Sequence, residues 1–245
     1  MIAHAFQKGP AFIGYLTLGD GGLDYSYEAA LALIEGGVDL LEIGIPFSDP
    51  VADGPVIAQA MQRSLKLGTV ASDVIPFLRR LREKTEIPLV LFSYCNPILT
   101  SPGLLDRAKE AGANGILLVD LPFEESVEGP LDPIYVISPT TPGIRVQQIA
   151  ERGKGFLYYV CQKGTTGMRA TIPKETAQDI ARVKKLTSLP VVCGFGISNR
   201  EMAGQVSQHA DGFVVGSYFV NAMAQKMSPE QLTHMAQAID PRRIP

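Results

Sequence analysis

Two acidic residues stand out because of where the sequence places them. Glu42 interrupts the apolar run Leu40–Ile45, and Asp53 follows in a loop shaped by proline and glycine. An ionised carboxylate inside an apolar strand is costly to desolvate unless it is paired or used. Two carboxylates that converge on one pocket can divide proton transfers between them. We therefore predict that Glu42 and Asp53 are catalytic; the alternatives are a structural ion pair for Glu42 and an ordinary turn at Asp53.

Three glycine-bearing turns in the C-terminal half predict a phosphate site: Gly164–Gly167, Gly194–Ser198 and Val214–Ser217. Glycine lets backbone N–H groups approach an anion closely, and a helix N-terminus adds its dipole. Each turn alone is weak evidence, because strand-to-helix turns are often rich in glycine. Their placement after the sixth, seventh and eighth predicted strands is what favours phosphate. Backbone amides could hold the dianion without a lysine or arginine.

Aromatic residues on the predicted strands could line a cavity between the acids and the phosphate site. Tyr158 and Tyr159 are adjacent, so one of their rings must point inward, and Tyr15 and Phe92 are further candidates. Ordinary filling of the core is the alternative for each ring. A cavity of this kind would suit a flat apolar substrate with a phosphorylated tail.

Eight short apolar runs are typical of strands buried on both faces in a parallel sheet. They are Phe12–Leu18, Leu40–Ile45, Leu89–Tyr94, Gly115–Asp120, Ile134–Ser138, Phe156–Cys161, Val191–Phe195 and Phe213–Gly216. Segments with helical periodicity lie between most of them, as in Tyr25–Glu35, Asp73–Lys84 and Lys174–Leu186. Strand–helix alternation with eight strands predicts an α/β fold, a (β/α)8 TIM barrel, forming one domain over residues 1–245.

Two details of the connections are also predicted. Gly36 and Gly112 end helices before strands, and both suit a left-handed helix C-cap. The segment Leu121–Pro133 between strands 4 and 5 is short and contains three prolines and a glycine. We therefore expect a shortened or missing helix there, unless residues have been omitted from the sequence.

Composition excludes several classes of protein. The net charge of −3 argues against nucleic acid and anionic membranes as partners, and no apolar run approaches the roughly 18 residues of a membrane span. Three scattered histidines and three widely spaced cysteines predict no metal site. The first residues lack the apolar region of a signal peptide, so we expect a cytoplasmic protein.

The segment Leu41–Pro55, with the sequence Leu-Glu-Ile-Gly-Ile-Pro-Phe-Ser-Asp-Pro-Val-Ala-Asp-Gly-Pro, closely resembles a motif of the tryptophan synthase α subunit family. Further matching segments are Thr17–Asp20, Tyr94–Pro97, Asp120–Pro122, Ser138–Pro142, Gly164–Gly167 and Gly194–Ser198. The resemblance covers nearly the whole chain. It implies a TIM barrel that cleaves indole-3-glycerol phosphate to indole and glyceraldehyde 3-phosphate. It also implies an α2β2 assembly with a β subunit that carries pyridoxal phosphate and receives the indole, and no cofactor in this chain.

The resemblance also implies roles for single residues. Glu42 and Asp53 match the catalytic acids of the family, and Tyr158 matches an active-site tyrosine. Thr166 matches a loop threonine that closes onto the aspartate, and Asp49 lies in a segment that contacts the β subunit. The phosphate contacts are matched by Gly167, Gly196, Gly216 and Ser217.

Two other functions remain open on the sequence alone. The first is a different phosphate-binding barrel enzyme, such as a sugar-phosphate isomerase or an aldolase. A Schiff-base aldolase needs a lysine inside the barrel, and none of the eight predicted strands contains one. The second is a catalytically weak α-type subunit that acts mainly as an allosteric activator of the β partner. The presence of Glu42, Asp53 and the three glycine turns argues against it.

Overall fold

Eight parallel strands close into a barrel in which each strand pairs with its neighbours in chain order and β8 pairs with β1. The computed structural model describes residues 1–125, 129–160, 174–194 and 196–243. The strands are β1 (Ala11–Thr17), β2 (Leu40–Gly44), β3 (Leu89–Ser93), β4 (Gly115–Leu118), β5 (Asp132–Ile137), β6 (Leu157–Val160), β7 (Val191–Gly194) and β8 (Gly212–Val215). The predicted (β/α)8 TIM barrel is confirmed.

Helices surround this barrel. They are α1 (Leu23–Glu35), α2 (Pro55–Lys66), α3 (Val74–Arg82), α4 (Cys95–Leu99), α5 (Leu104–Glu110), α6 (Gly143–Arg152), α7 (Lys174–Lys184), α8 (Arg200–Ser207), α9 (Ser217–Ala224) and α10 (Pro229–Ile239). Several of them begin with recognisable capping residues. The Asn199 side chain accepts a hydrogen bond from the Met202 N–H at the start of α8, and Ser228 caps α10.

Side chains alternate between the two faces of each strand. On β2, Leu41 and Ile43 pack outward against the helices, whereas Leu40 belongs to the cluster inside the barrel. Glu42, which is fully buried, points inward as well. The alternation therefore puts the one acid of the strand into the interior, where its burial would be most costly without a function.

The N-terminal residues close the bottom of the barrel. A short 3-10 helix, Ile2–Phe6, lies below the strands, and the ring of Phe6 packs on Phe156 at 5.9 Å between centroids. Ile2 is buried in the interior cluster. Gly115 and Gly155 make room for it, since a Cβ on either would lie within 3 Å of the Ile2 side chain.

The predicted left-handed C-cap is correct at Gly112 and wrong at Gly36. Gly112 has φ +103°, but Gly36 has φ −67° and the left-handed residue is Gly37, with φ +108°. The helical hydrogen bonds continue one residue further than predicted, from the Gly36 N–H to the Ala32 carbonyl. Gly36 is needed for a different reason: a Cβ there would lie 2.4 Å from the Cβ of Ala236 on the packed helix α10.

The connection between β4 and β5 carries no helix in residues 119–125 and 129–131, which confirms the prediction of a shortened or missing helix. The outward-facing side chains of Leu118, Pro133 and Tyr135 are consequently half-buried. On neighbouring β3 and β6 the corresponding residues, such as Leu91 and Leu157, are fully buried. The gap lies on the outside of the barrel, so it leaves the cavity at its mouth intact.

Candidate active site

A cavity opens at the carboxyl end of the barrel, which is where TIM-barrel enzymes carry their active sites. Residues on all eight strands or directly after them line it: Tyr15, Glu42, Phe92, Val119, Val136, Tyr158, Val160, Gly194, Gly196, Val214, Gly216 and Ser217. The loop after β2 and the start of α2 add Ala52, Asp53, Gly54 and Ile57. The lining thus combines two carboxylates, an apolar wall and a group of glycines.

Glu42 lies in the wall of this cavity and has no partner in the described part of the chain. Its side chain is fully buried, and neither carboxylate oxygen has a hydrogen-bond partner among the described residues. Burial raises the pKa of Glu42 from its usual 4.5 to about 8. The group is therefore a neutral carboxylic acid at neutral pH and has a proton to give. The structure excludes an ion pair with any described residue as the reason for this buried acid.

Asp53 reaches the same cavity from the loop between β2 and α2. The loop is turned by a hydrogen bond from the Asp53 N–H to the Pro50 carbonyl at 3.0 Å, and α2 begins two residues later with Pro55 at its first position. The Asp53 carboxylate accepts a hydrogen bond from the Tyr94 hydroxyl at 2.7 Å. Burial raises the pKa of Asp53, and this hydrogen bond opposes the rise.

Three aromatic rings form one wall of the cavity. The rings of Tyr15 and Phe92 meet edge to face at 5.4 Å, and those of Phe92 and Tyr158 meet at 6.3 Å. Of the adjacent tyrosines, Tyr158 points inward, whereas Tyr159 points outward and donates to Asp179 at 3.1 Å. All three predicted aromatic residues thus line the cavity.

Two strand glycines make room for these rings. A Cβ on Gly44 would lie 2.1 Å from the Tyr15 hydroxyl oxygen, and one on Gly194 would lie 2.3 Å from that of Tyr158. Any larger residue at either position would displace a tyrosine from the wall. From the sequence, Gly194 was predicted only as part of a phosphate turn, and its role in shaping the aromatic wall was not predicted.

The predicted phosphate residues Gly196, Gly216 and Ser217 lie together on the side of β7 and β8. Gly196 has φ +63°, which a residue with a side chain rarely adopts. Gly216 is the N-cap of α9 and Ser217 is its first residue. The free N–H groups and the positive dipole end of this helix therefore face the cavity, as an anion would require.

Three predicted site residues are not part of the described cavity. Asp49 lies on the exposed part of the loop after β2, where its carboxylate accepts a hydrogen bond from the Ser48 hydroxyl. Its neighbour Val51 is 88% exposed. Thr166 and Gly167 lie outside the described residues, so their predicted roles stay predictions.

Tyr94 is a site residue that was not predicted as one. From the sequence it was assigned to the end of the third strand and to a segment that resembles the family, yet its hydroxyl contacts the carboxylate of Asp53. Val136 and Val214 were also missed as lining residues. The alternation of faces along a strand could have identified Val136, since Ile134 and Val136 share one face.

The rest of the described chain offers no competing site for metal or membrane chemistry. No group of three or more histidine, cysteine, aspartate or glutamate residues in residues 1–125, 129–160, 174–194 and 196–243 could hold a metal ion. Within the same ranges, none of the helices has the length and apolar character needed to cross a membrane. The cavity itself pairs a protonated acid with a second carboxylate and an anion site, which suits proton transfer on a phosphorylated substrate.

Comparison with known proteins agrees with this site. A family model for the tryptophan synthase alpha chain matches residues 2–242. The tryptophan synthase alpha chain of Coxiella burnetii (strain CbuK_Q154) is 49% identical over 248 residues, covering 98% of this chain and 97% of the relative. That of Chlamydia felis is 49% identical over 254 residues, covering 99% of both chains.

Solved structures show the same similarity. The crystal structure of the tryptophan synthase alpha subunit from Legionella pneumophila str. Paris has a TM-score of 0.85 and 35% identity, covering 97% of both chains. A chain of tryptophan synthase from M. tuberculosis, in an aminoacrylate-bound form, has a TM-score of 0.87 and 28% identity, covering 98% of both chains. The chain therefore belongs to the tryptophan synthase alpha chain family, the lyases that cleave indole-3-glycerol phosphate.

Proposed function

We propose that the cavity cleaves indole-3-glycerol phosphate to indole and glyceraldehyde 3-phosphate, with Glu42 and Asp53 as the catalytic residues. The observation that carries this proposal is the buried carboxyl of Glu42, which has no partner among the described residues and faces the same cavity as Asp53. A group that is costly to bury and makes no stabilising contact is explained by a role in chemistry.

Breaking the bond between C3 of the indole and the glycerol chain requires a sequence of proton transfers. Glu42, which is neutral at neutral pH because its pKa is about 8, gives its proton to C3. Asp53 takes the proton from the indole nitrogen, so the ring becomes an indolenine. The Glu42 carboxylate then takes the proton of the side-chain hydroxyl as the aldehyde forms and the carbon–carbon bond breaks. The electrons of that bond flow into the ring, and Asp53 returns its proton to the nitrogen, so both acids end as they began.

The remaining lining residues suit the two ends of this substrate. The rings of Tyr15, Phe92 and Tyr158 form an apolar wall for the flat indole. Burial raises the pKa of Tyr15 and of Tyr158 well above the usual value, so both rings remain uncharged there. At the other end, Gly196, Gly216 and Ser217 bind the phosphate through backbone N–H groups and the N-terminus of α9.

The chain acts with a β subunit. We infer an α2β2 assembly in which the β subunit carries pyridoxal phosphate, receives indole through a channel and exchanges allosteric signals with this chain, in the cytoplasm. The exposed loop of Asp49 and Val51, directly next to Asp53, supports a contact at the mouth of the cavity. Proton transfers by Glu42 and Asp53 account for the cleavage, so we assign no cofactor to this chain.

Indole release from indole-3-glycerol phosphate tests the proposal, first with the purified chain and then after addition of a tryptophan synthase β subunit. We expect cleavage by the chain alone and faster cleavage with the partner. Glu42→Gln should release little indole in either condition, whereas Glu35→Gln, the same substitution on the exposed end of α1, should leave the rate unchanged. A chain that releases no indole in either condition, yet stimulates the β subunit, would contradict the proposal and support a purely activating role.

A further inference from the structure

Tyr94 directly follows β3 and belongs to the site through its hydroxyl group. The side chain is only 1% exposed, and its ring packs against that of Phe47 at 5.1 Å. It caps the start of α4 and does not reach the substrate cavity itself, whose lining residues do not include it. Its effect on chemistry must therefore act through another residue.

The hydroxyl of Tyr94 makes two hydrogen bonds to one loop. It accepts from the Ala52 N–H at 3.0 Å and donates to the Asp53 carboxylate at 2.7 Å. A phenol has one proton to donate. Because the Ala52 N–H can only donate, Tyr94 accepts from it and donates its own proton to the Asp53 carboxylate. One group therefore fixes both the backbone of the loop and the carboxylate that the loop presents.

The backbone around Tyr94 is itself held by neighbouring loops. The Ser93 hydroxyl donates to the Tyr94 carbonyl at 2.9 Å, and the Cys95 N–H donates to the Asp120 carboxylate at 2.8 Å. Asp120 follows β4, and Asp53 follows β2. Hydrogen bonds thus join the ends of three consecutive strands, with the tyrosine in the middle.

We propose that Tyr94 is a positioning residue that holds Asp53 in the cavity as an ionised base. The proposal rests on the function assigned to Asp53 above and goes beyond it, because it names the group that sets the charge and the orientation of that base. A hydrogen bond donated to a carboxylate stabilises its ionised form. An ionised Asp53 can accept the indole proton, whereas a protonated one cannot.

The surroundings of Asp53 make this hydrogen bond consequential. Burial raises its pKa, and the bond from Tyr94 lowers it. Among the described residues, the other titratable groups that face the carboxylate are Glu42 on β2, Tyr15 on β1 and Tyr158 on β6. All three have pKa values raised by burial, so they are neutral at neutral pH. Carboxyl and phenol groups never carry a positive charge, so none of the three can favour the ionised form of Asp53 as a cation would.

The pH dependence of kcat/KM for indole-3-glycerol phosphate cleavage tests the proposal in Tyr94→Phe. This ratio reports the pKa values of the free enzyme. Loss of the hydroxyl should raise the pKa of Asp53, so the acidic limb of the profile should move to higher pH by about one unit. The alkaline limb, set by Glu42, should stay in place. An equal loss of activity at every pH, or no change, would overturn the proposal.

Tyr159→Phe is the matched control, because it removes a hydroxyl that donates to a carboxylate, Asp179, on the outside of the same barrel. Its acidic limb should coincide with that of the wild type. Replacing Tyr94 by 3-fluorotyrosine, a more acidic phenol and a stronger donor, should move the limb in the opposite direction, to lower pH. This second variant keeps the hydroxyl, so it tests the effect of the hydrogen bond on the pKa of Asp53 even if Tyr94→Phe does not fold. A fluorinated protein with an unshifted limb would also refute the proposal.

Failure of this inference and failure of the proposed function give different results. If the wild type releases no indole at any pH, the assigned reaction is wrong. If the wild type cleaves with a bell-shaped pH profile and the Tyr94 variants have the same acidic limb, the assigned reaction is supported and only the proposed role of Tyr94 is wrong.

Discussion

At the scale of single residues, burial of the Glu42 carboxyl makes the stability of the folded chain depend on pH. Its pKa in the folded chain is about 8, above the usual 4.5, so the unfolded chain gives up this proton at lower pH. The neutral acid is favoured by folding, and stability is therefore lost as pH rises from about 4.5 through 8. Each unit of difference between the pKa of Glu42 in the folded and the unfolded chain corresponds to about 1.4 kcal/mol in the free energy of unfolding.

Replacing Glu42 by Gln should consequently make stability less dependent on pH. The amide cannot ionise, so the variant avoids the cost that the wild type bears at alkaline pH. We expect the difference in Tm between Glu42→Gln and wild type to move in favour of the variant between pH 5 and pH 9. Thermal unfolding at a series of pH values measures it. Parallel curves for the two proteins would show that Glu42 does not titrate with a raised pKa.

Asp53 should be needed for chemistry rather than for binding of the phosphate end. Asp53→Asn keeps the size of the side chain but removes the base, so we expect kcat to fall by about 10²-fold or more. Binding of glycerol 3-phosphate, measured by calorimetry, should remain unchanged because the proposed phosphate contacts Gly196, Gly216 and Ser217 follow β7 and β8, whereas Asp53 follows β2. If Asp53→Asn lowered kcat and the affinity for glycerol 3-phosphate to the same degree, Asp53 would act by holding the loop after β2 in place and not as a base.

Several site residues were predictable from the sequence because their types conflict with their surroundings. An acid within the apolar strand β2 and glycines after β7 and β8 are local signals, and the structure brings these residues together. Tyr94 was not predictable in this way. Its contact with Asp53 joins two loops that are 41 positions apart in the chain, and no local pattern reports such a contact.

At the scale of elements, the turn from β8 into α9 forms the proposed phosphate site. A Cβ on Gly216 would lie 3.5 Å from its nearest neighbour, the Cβ of Tyr15, which is an ordinary contact. A side chain at this position should therefore be tolerated by the fold while it blocks approach to the backbone N–H groups of α9.

Gly216→Val should weaken binding of glycerol 3-phosphate at least tenfold and leave binding of free indole unchanged. Gly204→Val is the matched control, since Gly204 lies on α8 with its nearest neighbour at 3.6 Å, from Pro241 on the outside of the barrel. Calorimetry with both ligands provides the comparison. Unaltered affinity for glycerol 3-phosphate in Gly216→Val would remove this turn from the phosphate site.

The strands themselves were predicted within one or two residues because each is a continuous apolar run. The C-cap before β2 was predicted one residue early, at Gly36 instead of Gly37. Consecutive glycines give the same local signal, and the choice between them is made by the packing of α10 against Gly36, which is a tertiary contact. Similarly, Pro133 was assigned to the connection, yet β5 begins at Asp132 because both residues pair with β4.

At the scale of the whole molecule, the closed barrel converts separate sequence signals into one site. Parallel strands all end at the same rim, so residues from distant parts of the chain meet there whatever their separation in sequence. Residues 119–125 and 129–131 between β4 and β5 form no helix, which shows that this arrangement does not need every covering element. The eight strands still close into the barrel and present the described lining of the cavity.

Cleavage of indole-3-glycerol phosphate by the purified Glu42→Gln chain tests the assignment of the cavity most directly. The amide is nearly isosteric with the protonated acid but has no acidic proton to give to C3. We expect the rate of indole release to fall by about 10²–10⁴-fold relative to wild type, with unchanged binding of glycerol 3-phosphate and an intact fold. A folded Glu42→Gln chain that releases indole at the wild-type rate would contradict the proposed mechanism at its central step.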